Sequence, residues 1–412
     1  MIPHIIHQHA EESAILHNIR LHQAVAPHVK LHHLRRIDDR IAAHLDGLAV
    51  AGDYGLNVCE EALESAGVGE VFTATVRAIE ANDENRLDKM FALGNAVPKV
   101  QPGLSSAFHW VSAQFLKGIG AKLLKSNNSL KQRLGIDACV SHRIDPGMVL
   151  TSLMTHSDTV LRTRALCAAG ELGRRDLRFQ CEQYLSDKDI TCRFWAAWSA
   201  VMLGNRTSAL HVLSRFAGSS NPLQQTALQL VLKVIPMTEA HDLLKKIAVD
   251  MVNIRSLIVG AGIAGDPFYI PWLIKQMDDP KHARLAGESF SFITGLDLAY
   301  LDLERNAPEG VDAEPDDDPE KDNVKMDEDD NLPWPDLFKI QTWWDSNRSN
   351  FAVGERYFMG QLVSREHCIQ VLKNGFQRQR IAASQYLSLF DSEKSIFPTD
   401  APAWRQQRWL NA

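Results

Sequence analysis

The middle of this 412-residue sequence repeats at a step of 31 residues, and this periodicity limits the available folds more than any other feature. The clearest copies are LMTHSDTVLRTRALCAAGELG (153–173) and YLSDKDITCRFWAAWSAVMLG (184–204). An aspartate, an arginine, paired alanines and a closing glycine occupy matching positions in both. A fixed period in the thirties is typical of stacked helix pairs. The sequence therefore predicts an all-α fold, an α-α superhelix (solenoid).

Each repeat carries the signals that begin and end its second helix. Asp158 stands where a carboxylate accepts hydrogen bonds from the first free N–H groups of a helix. Gly173 stands where a positive φ ends one. We expect the repeated arginine to bridge to the aspartate or to a carbonyl of an adjacent repeat. The positions with these structural roles are Asp158, Arg162, Asp189, Arg193, Arg255 and Arg284.

The order of leucines, turn aspartate, arginine, paired alanines and glycine resembles HEAT repeats over about residues 145–300. The resemblance implies a concave surface that binds macromolecules. We divide the chain into a histidine-rich N-terminal helical region (1–68), a HEAT-like array (69–300), an acidic flexible linker (301–332) and a C-terminal helical unit (333–412).

The linker is predicted from its charge. Residues 302–330 contain fourteen acidic and three basic residues, three prolines and almost no large apolar side chains. Such a segment cannot bury enough surface to fold, so we expect it to be solvated and flexible. The alternative is an acidic tether that docks a basic partner or a basic groove of the same protein.

Composition excludes several function classes. A net charge of −7 excludes a polycationic nucleic-acid binder. No stretch reaches the roughly 18 uninterrupted apolar residues of a membrane span, and the start of the sequence shows no secretory signal. The six cysteines form no CxxC pair. We therefore predict a cytoplasmic protein with free thiols, with no nucleic-acid or membrane partner.

The segment LIVGAGIAGD (257–266) matches the dinucleotide fingerprint GxGxxG through Gly260, Gly262 and Gly265. Pro267 and Pro271, however, fall where the phosphate-binding helix would run. A helix over 255–265, followed by a turn, explains every residue of the segment. We therefore predict no nucleotide and no other cofactor.

Nine of the sixteen histidines lie within residues 1–44. His28 and His32 have the one-turn spacing of a helical metal site, but no HExxH motif and no cysteine accompanies them. We interpret these histidines as surface and core residues and predict no metal. No nucleophile elbow, phosphate-binding loop or acid–base pair outside the acidic segment is visible, so we predict that the chain is not an enzyme.

The C-terminal part interleaves aromatic and basic residues. The candidate protein-binding residues are Trp334, Trp343, Trp344, Arg348, Arg356 and Tyr357. Tryptophan beside arginine is common in interfaces and equally common in packing. The closing AWRQQRWLNA shows the same pairing and is either a cap of the array or a docking tail.

Several end motifs occur in a fixed order: AHLDGLAVAG (43–52), LPWPD (332–336), WWDSNRSNFAVGERYFMG (343–360), FQRQRIAA (376–383) and RQQRWLNA (405–412). Together they resemble a proteobacterial family with central HEAT-like repeats, found beside type VI secretion spike genes and their toxins. The resemblance implies an adaptor, chaperone or scaffold for effector loading, with a spike protein or toxin as partner. Two alternatives remain: an immunity protein that sequesters a toxin, and a helical-repeat enzyme of lyase or DNA glycosylase type.

Overall fold

A computed structural model describes residues 2–249, 254–308 and 328–411. Within these ranges the chain forms 22 α-helices and a single pair of two-residue strands, so the predicted all-α class is confirmed. No helix in the described ranges is both long enough and apolar enough to cross a membrane.

The chain forms two compact units. One, here called the split unit, combines Met1–Ala209 with Ser388–Ala412, and the other, the central unit, is Leu210–Leu387. These units divide the chain at other points than the four segments predicted from the sequence, which stay predictions.

The helices of the split unit are α1 (Pro3–Gln23), α2 (Leu31–Val50), α3 (Asp53–Glu61), α4 (Val68–Glu80), α5 (Glu84–Ala96), α6 (Gln101–Trp110), α7 (Ile119–Leu124), α8 (Ser129–Ser141), α9 (Met148–Leu153), α10 (Thr159–Glu171), α11 (Arg178–Gln183), α12 (Ile190–Met202) and α22 (Ala403–Asn411). Alternate helices stack in a row: α1 on α4, α4 on α6, α6 on α8, α8 on α10 and α10 on α12. This is the packing of a helical-repeat array, in which each pair buries its apolar face against the next.

The elements from the central unit's start onward are α13 (Ser208–Ala217), α14 (Gln224–Val234), α15 (Met237–Ile247), α16 (Ile254–Ala264), α17 (Ile270–Gln276), α18 (Ala283–Thr294), α19 (Leu337–Asn347), β1 (Tyr357–Phe358), β2 (Gln361–Leu362), α20 (Arg365–Asn374) and α21 (Gln377–Phe390). Here α14 packs on α16 and α16 on α18, so the alternate stacking occurs in this unit too. The strands pair antiparallel, and β1 packs against α18.

The repeat signals act as the sequence predicts. The carboxylate of Asp158 accepts hydrogen bonds from the N–H groups of Val160 and Leu161 at the start of α10. Asp189 caps α12 in the same way. Gly173 has a φ of 66°, the left-handed conformation expected after the helix.

The repeated arginines differ in their partners. Arg162 donates to the carbonyl of His156 at 2.7 Å and lies 3.8 Å from the carboxylate of Asp187, in the turn of the next repeat. Arg193 donates to the carbonyl of Asp187 at 2.7 Å, within its own turn. Arg162 therefore approaches the next repeat through Asp187, and not through the capping Asp189 or a carbonyl as the sequence predicted.

The later two repeat arginines contact residues beyond the array. Arg255 forms a two-point ion pair with Asp329, at 2.5 and 2.7 Å. Arg284 places its guanidinium 4.9 Å from the ring centre of Trp334. Asp329 lies near the end of the acidic segment and Trp334 follows it, so both contacts join the array to residues from 329 onward.

The glycine-rich segment 257–266 is helical and not a strand–turn–helix. Gly260 and Gly262 lie inside α16, and Gly265 ends that helix with a φ of 75°. The carboxylate of Asp266 then accepts the N–H of Phe268, which begins a short 3-10 helix. The helical interpretation is confirmed, and the fingerprint match has no structural counterpart.

The described flanks of the acidic segment are held together. The N–H of Arg305 donates to the carbonyl of Trp334 at 2.8 Å, and the N–H of Asp336 donates to the carbonyl of Leu303 at 2.9 Å. Both flanks belong to the central unit. The predicted flexible linker falls largely on residues 309–327, which lie outside the described residues.

The C-terminal segment packs inside the split unit. The guanidinium of Arg20 donates to the carboxylate of Asp38 and to the carbonyls of Asp400 and Ala401. The second oxygen of Asp38 accepts the N–H of Ala403 at 2.6 Å. Asp38 is fully buried, so this ionic network is a core feature, here called the terminal clamp.

A second set of contacts completes the clamp. Arg405 donates to the carbonyls of His109, Trp110 and Val111, at 2.6 to 3.0 Å, where α6 ends. Trp404 packs edge-on against Trp110, with ring centres 4.7 Å apart. Arg405 thus satisfies carbonyls that a helix end leaves without intrahelical partners. Of the two interpretations of AWRQQRWLNA, these contacts support the terminal cap.

The N-terminal histidines are spread between core and surface. His17 is 2% exposed and stacks on Phe72, with ring centres 3.8 Å apart. His9 and His44 approach through their Nδ1 atoms at 3.0 Å. His28 and His32 do not lie on one helix, because α2 begins only at Leu31. The helical metal-site spacing considered from the sequence is therefore wrong. Among the described residues no group of three or more histidines, cysteines or carboxylates could hold a metal.

Burial of His17 predicts acid sensitivity. Desolvation, with a smaller contribution from the charge of Arg20, lowers the pKa of His17 from 6.5 to about 3. The folded chain keeps the ring neutral while the unfolded chain takes up a proton below pH 6.5, so this part of the stability is lost as pH falls. The free energy of unfolding should therefore fall between pH 7 and pH 4.5. We expect this fall to be smaller by roughly 2 to 3 kcal/mol in His17→Phe.

The measurement is urea unfolding at both pH values. His22→Phe, on the exposed side of the same helix, is the matched control and should keep the acid sensitivity of the original chain. Equal acid sensitivity in His17→Phe and the original chain would contradict the prediction.

Candidate functional site

The central unit contains a cavity of about 240 Å³ that is partly open to solvent. Helices α14, α16, α18 and α21 and strand β1 supply its walls. The apolar side chains on the wall are Val259, Ile263, Leu285, Phe292, Phe358, Ile381 and Ala382. The volume is slightly below the usual range for small-molecule sites, so the cavity suits a ligand about the size of a substituted aromatic ring.

One side of the cavity is charged. Arg255 and Arg378 both line it, and each has a carboxylate partner: Arg255 pairs with Asp329, and Arg378 donates to Glu288 at 2.7 Å. Burial raises the pKa of Glu288, and the neighbouring Arg378 opposes that shift. Arg378 also donates to the carbonyl of Glu328. These ion pairs hold both arginine side chains in place on this side of the cavity. They also neutralise the positive charge of the two guanidinium groups.

Lys233, in the last turn of α14, lines the same cavity. The residue is 6% exposed, and its ammonium donates to the side-chain oxygen of Gln385. It also lies 5.4 Å from the ring centre of Tyr386. No described carboxylate forms an ion pair with it. Desolvation lowers the pKa of Lys233 from 10.5 to about 7, and the charge of Arg356 acts in the same direction.

The aromatic residues predicted to bind a partner are mostly packed inside the central unit. Trp334, Trp344 and Tyr357 are each 9% exposed or less. Trp343 is half-buried and meets Phe290 edge-on at 6.0 Å. Partner binding by this set stays a prediction, while packing accounts for the positions of all four side chains.

The two arginines of that predicted set differ. Arg356 donates to the carbonyls of Lys233, Ile235 and Ala264, at 2.7 to 3.3 Å, and so links the C-terminal ends of α14 and α16. Arg348 is exposed on a short 3-10 helix. Of the six residues, Arg348 is therefore the one whose side chain the fold leaves on the surface.

The split unit has a second candidate feature, a pair of exposed apolar side chains at matching repeat positions. Met148 begins α9 and is 78% exposed, and Phe179 lies in the first turn of α11 and is 66% exposed. They are separated by the repeat step of 31 residues. Below we call Met148 and Phe179 the apolar pair.

Sequence reasoning identified Arg255 as a repeat position but missed Lys233, Glu288 and Arg378 as neighbours. One signal was present: Lys233 interrupts the apolar run LQLVLKVI (228–235), where a charged residue is unexpected in a buried helix. The six cysteines are all buried and unpaired, as predicted for free thiols. Burial raises the pKa of Cys368 to about 12, so this thiol near Lys233 stays neutral.

Comparison with known protein families, curated proteins and solved structures finds no match to this chain. The type VI secretion family indicated by the end motifs therefore stays a prediction.

Proposed function

We propose that the chain is a non-catalytic protein-binding scaffold that acts in the cytosol as an adaptor or chaperone for loading a type VI secretion effector. Support for binding comes from stacked helix pairs, because repeat arrays present extended surfaces to other macromolecules. Support for the type VI context comes from the order of the end motifs in the sequence.

The observation that carries the proposal is the apolar pair. Single exposed apolar residues are normal on protein surfaces. Met148 and Phe179, however, recur at one repeat step on the first helices of neighbouring helix pairs, and both are largely exposed. An apolar side chain that recurs in register is a feature that a partner can use as an anchor.

The test is partner recovery from the native cytosol. We expect the combined substitutions Met148→Ser and Phe179→Ser to lower recovery of a co-purifying spike or toxin protein by about tenfold or more, as for loss of interface anchors. Val50→Ser is the matched control, since Val50 is 89% exposed in the same unit but lies outside the repeats. Unchanged recovery with the double variant would contradict this surface, and recovery of nucleic acid alone would contradict the scaffold.

An adaptor and an immunity protein differ in what their loss does to the cell. Deleting the gene of an adaptor blocks delivery of the effector to neighbouring cells. Deleting the gene of an immunity protein leaves delivery intact and makes the cell sensitive to the toxin. We expect the first result.

A further inference from the structure

The cavity of the central unit places an amine in surroundings that favour its neutral form. The Nζ atom of Lys233 has a neutral amide oxygen and an aromatic face beside it, and no ion pair with any described carboxylate. A buried ammonium without a counter-charge is costly, so a lysine in such a place releases its proton easily. A neutral amine is a nucleophile, whereas an ammonium is not.

The rest of the cavity indicates what the amine meets. The wall is mainly apolar, and its volume of about 240 Å³ accepts a ring with a short substituent. Arg255 and Arg378 are already paired with Asp329 and Glu288, so they provide no ready site for a ligand carboxylate. An uncharged, apolar ligand therefore suits the cavity better than an organic acid.

We propose that this cavity binds a small apolar aldehyde, which Lys233 captures reversibly as an imine. The nitrogen lone pair adds to the carbonyl carbon, and the proton released from nitrogen moves to the oxygen to give a carbinolamine. Loss of one water then forms the C=N bond. The step involves no oxidation or reduction, and hydrolysis reverses it. This inference does not depend on the scaffold function proposed above.

The experiment uses the purified full chain, with benzaldehyde as the probe and cyanoborohydride as the trap. The trap delivers hydride to the imine carbon and fixes a benzylamine that peptide mass spectrometry locates. At pH 7 we expect Lys233 to be labelled about tenfold faster than Lys246, an exposed lysine of the same unit. We also expect the advantage of Lys233 over Lys246 to shrink as the pH rises above 7, because the pKa of Lys233 is lowered to about 7 and its neutral fraction then no longer grows.

Two controls connect the labelling to the cavity. Excess benzyl alcohol fills the cavity without reacting and should slow labelling of Lys233 alone. Ala382→Leu narrows the cavity from α21 and should do the same, with labelling of Lys246 unchanged. Labelling of Lys233 no faster than that of Lys246, or labelling unaffected by benzyl alcohol in the unsubstituted chain, would overturn the proposal. The benzyl alcohol arm remains decisive even if Ala382→Leu fails to fold.

Discussion

Replacing Asp38 with alanine is expected to lower the free energy of unfolding of the split unit by roughly 3 to 5 kcal/mol. The substitution leaves the guanidinium of Arg20 buried without its carboxylate. It also removes the acceptor of the Ala403 N–H. An unpaired buried charge and an orphaned buried donor both carry their full desolvation cost.

Urea unfolding at pH 7 measures this effect, with Asp39→Ala as the matched control. Asp39 is the next residue of α2, and its exposed side chain pairs with Arg35 one turn away. Exposed pairs of this kind contribute about 0.5 kcal/mol or less. Similar destabilisation by the two substitutions would contradict a stabilising role for the terminal clamp.

Hydrogen exchange provides a second readout of the same variant. Ala403 N–H is the first amide of α22 and donates to Asp38, so Asp38→Ala should increase exchange across Ala403–Asn411. Helices α10 and α12 of the same unit should keep their protection until global unfolding dominates. Truncation before residue 388 is predicted to be still more damaging, because it also removes Trp404 and Arg405 from the end of α6.

The features that could be predicted from the sequence are local ones. Asp158 and Asp189 cap helices because the capping bond joins residues two or three positions apart. Gly173 and Gly265 end helices because their conformation is set by neighbouring backbone. The helix over 254–264 followed from two prolines that a nucleotide-binding helix would not tolerate.

The features that could not be predicted depend on partners far apart in the chain. Arg20 donates to the carbonyl of Asp400, 380 positions later, and Arg405 donates to that of His109, 296 positions earlier. No periodicity in one sequence reports such pairs. The aromatic–basic interleaving of the C-terminal part was visible, but whether Trp344 packs or binds a partner depends on the core cluster it joins, whose members in α16, α17 and α18 lie much earlier in the chain.

In the cavity, too, the sequence indicated one residue but not the distant residues that contact it. Arg255 was recognised through the repeat step, yet its partner Asp329 lies 74 positions later, near the end of the acidic segment. Lys233 was not identified from the sequence, although it is a charge within a largely apolar run. Its chemistry depends on Gln385 and Tyr386 of α21, which provide an amide and a ring where a carboxylate would have held the proton.

Gly265→Ala is expected to lower the free energy of unfolding of the central unit by roughly 3 to 5 kcal/mol, which combines the cost of a left-handed alanine with that of overpacking. Gly265 has a φ of 75°, and a Cβ there would overlap the carbonyl oxygen of Tyr357. The carbonyl of Gly265 also accepts the N–H of Tyr357 at 2.9 Å, so strand β1 cannot move away without loss of that bond.

Gly260→Ala separates this packing role from nucleotide binding. Gly260 lies inside α16, and the new Cβ would meet the movable ends of two side chains, Leu244 closely and Leu232 at 3.4 Å. Alanine is favoured over glycine in a helix by about 0.5 to 1 kcal/mol, which offsets that adjustment, so we expect a change within about 1 kcal/mol. Urea unfolding of both variants makes the comparison. A dinucleotide site would need both glycines for its phosphate loop, whereas the packing of α16 needs only Gly265. Equal destabilisation by the two substitutions would therefore contradict the assignment of residues 254–264 to a helix.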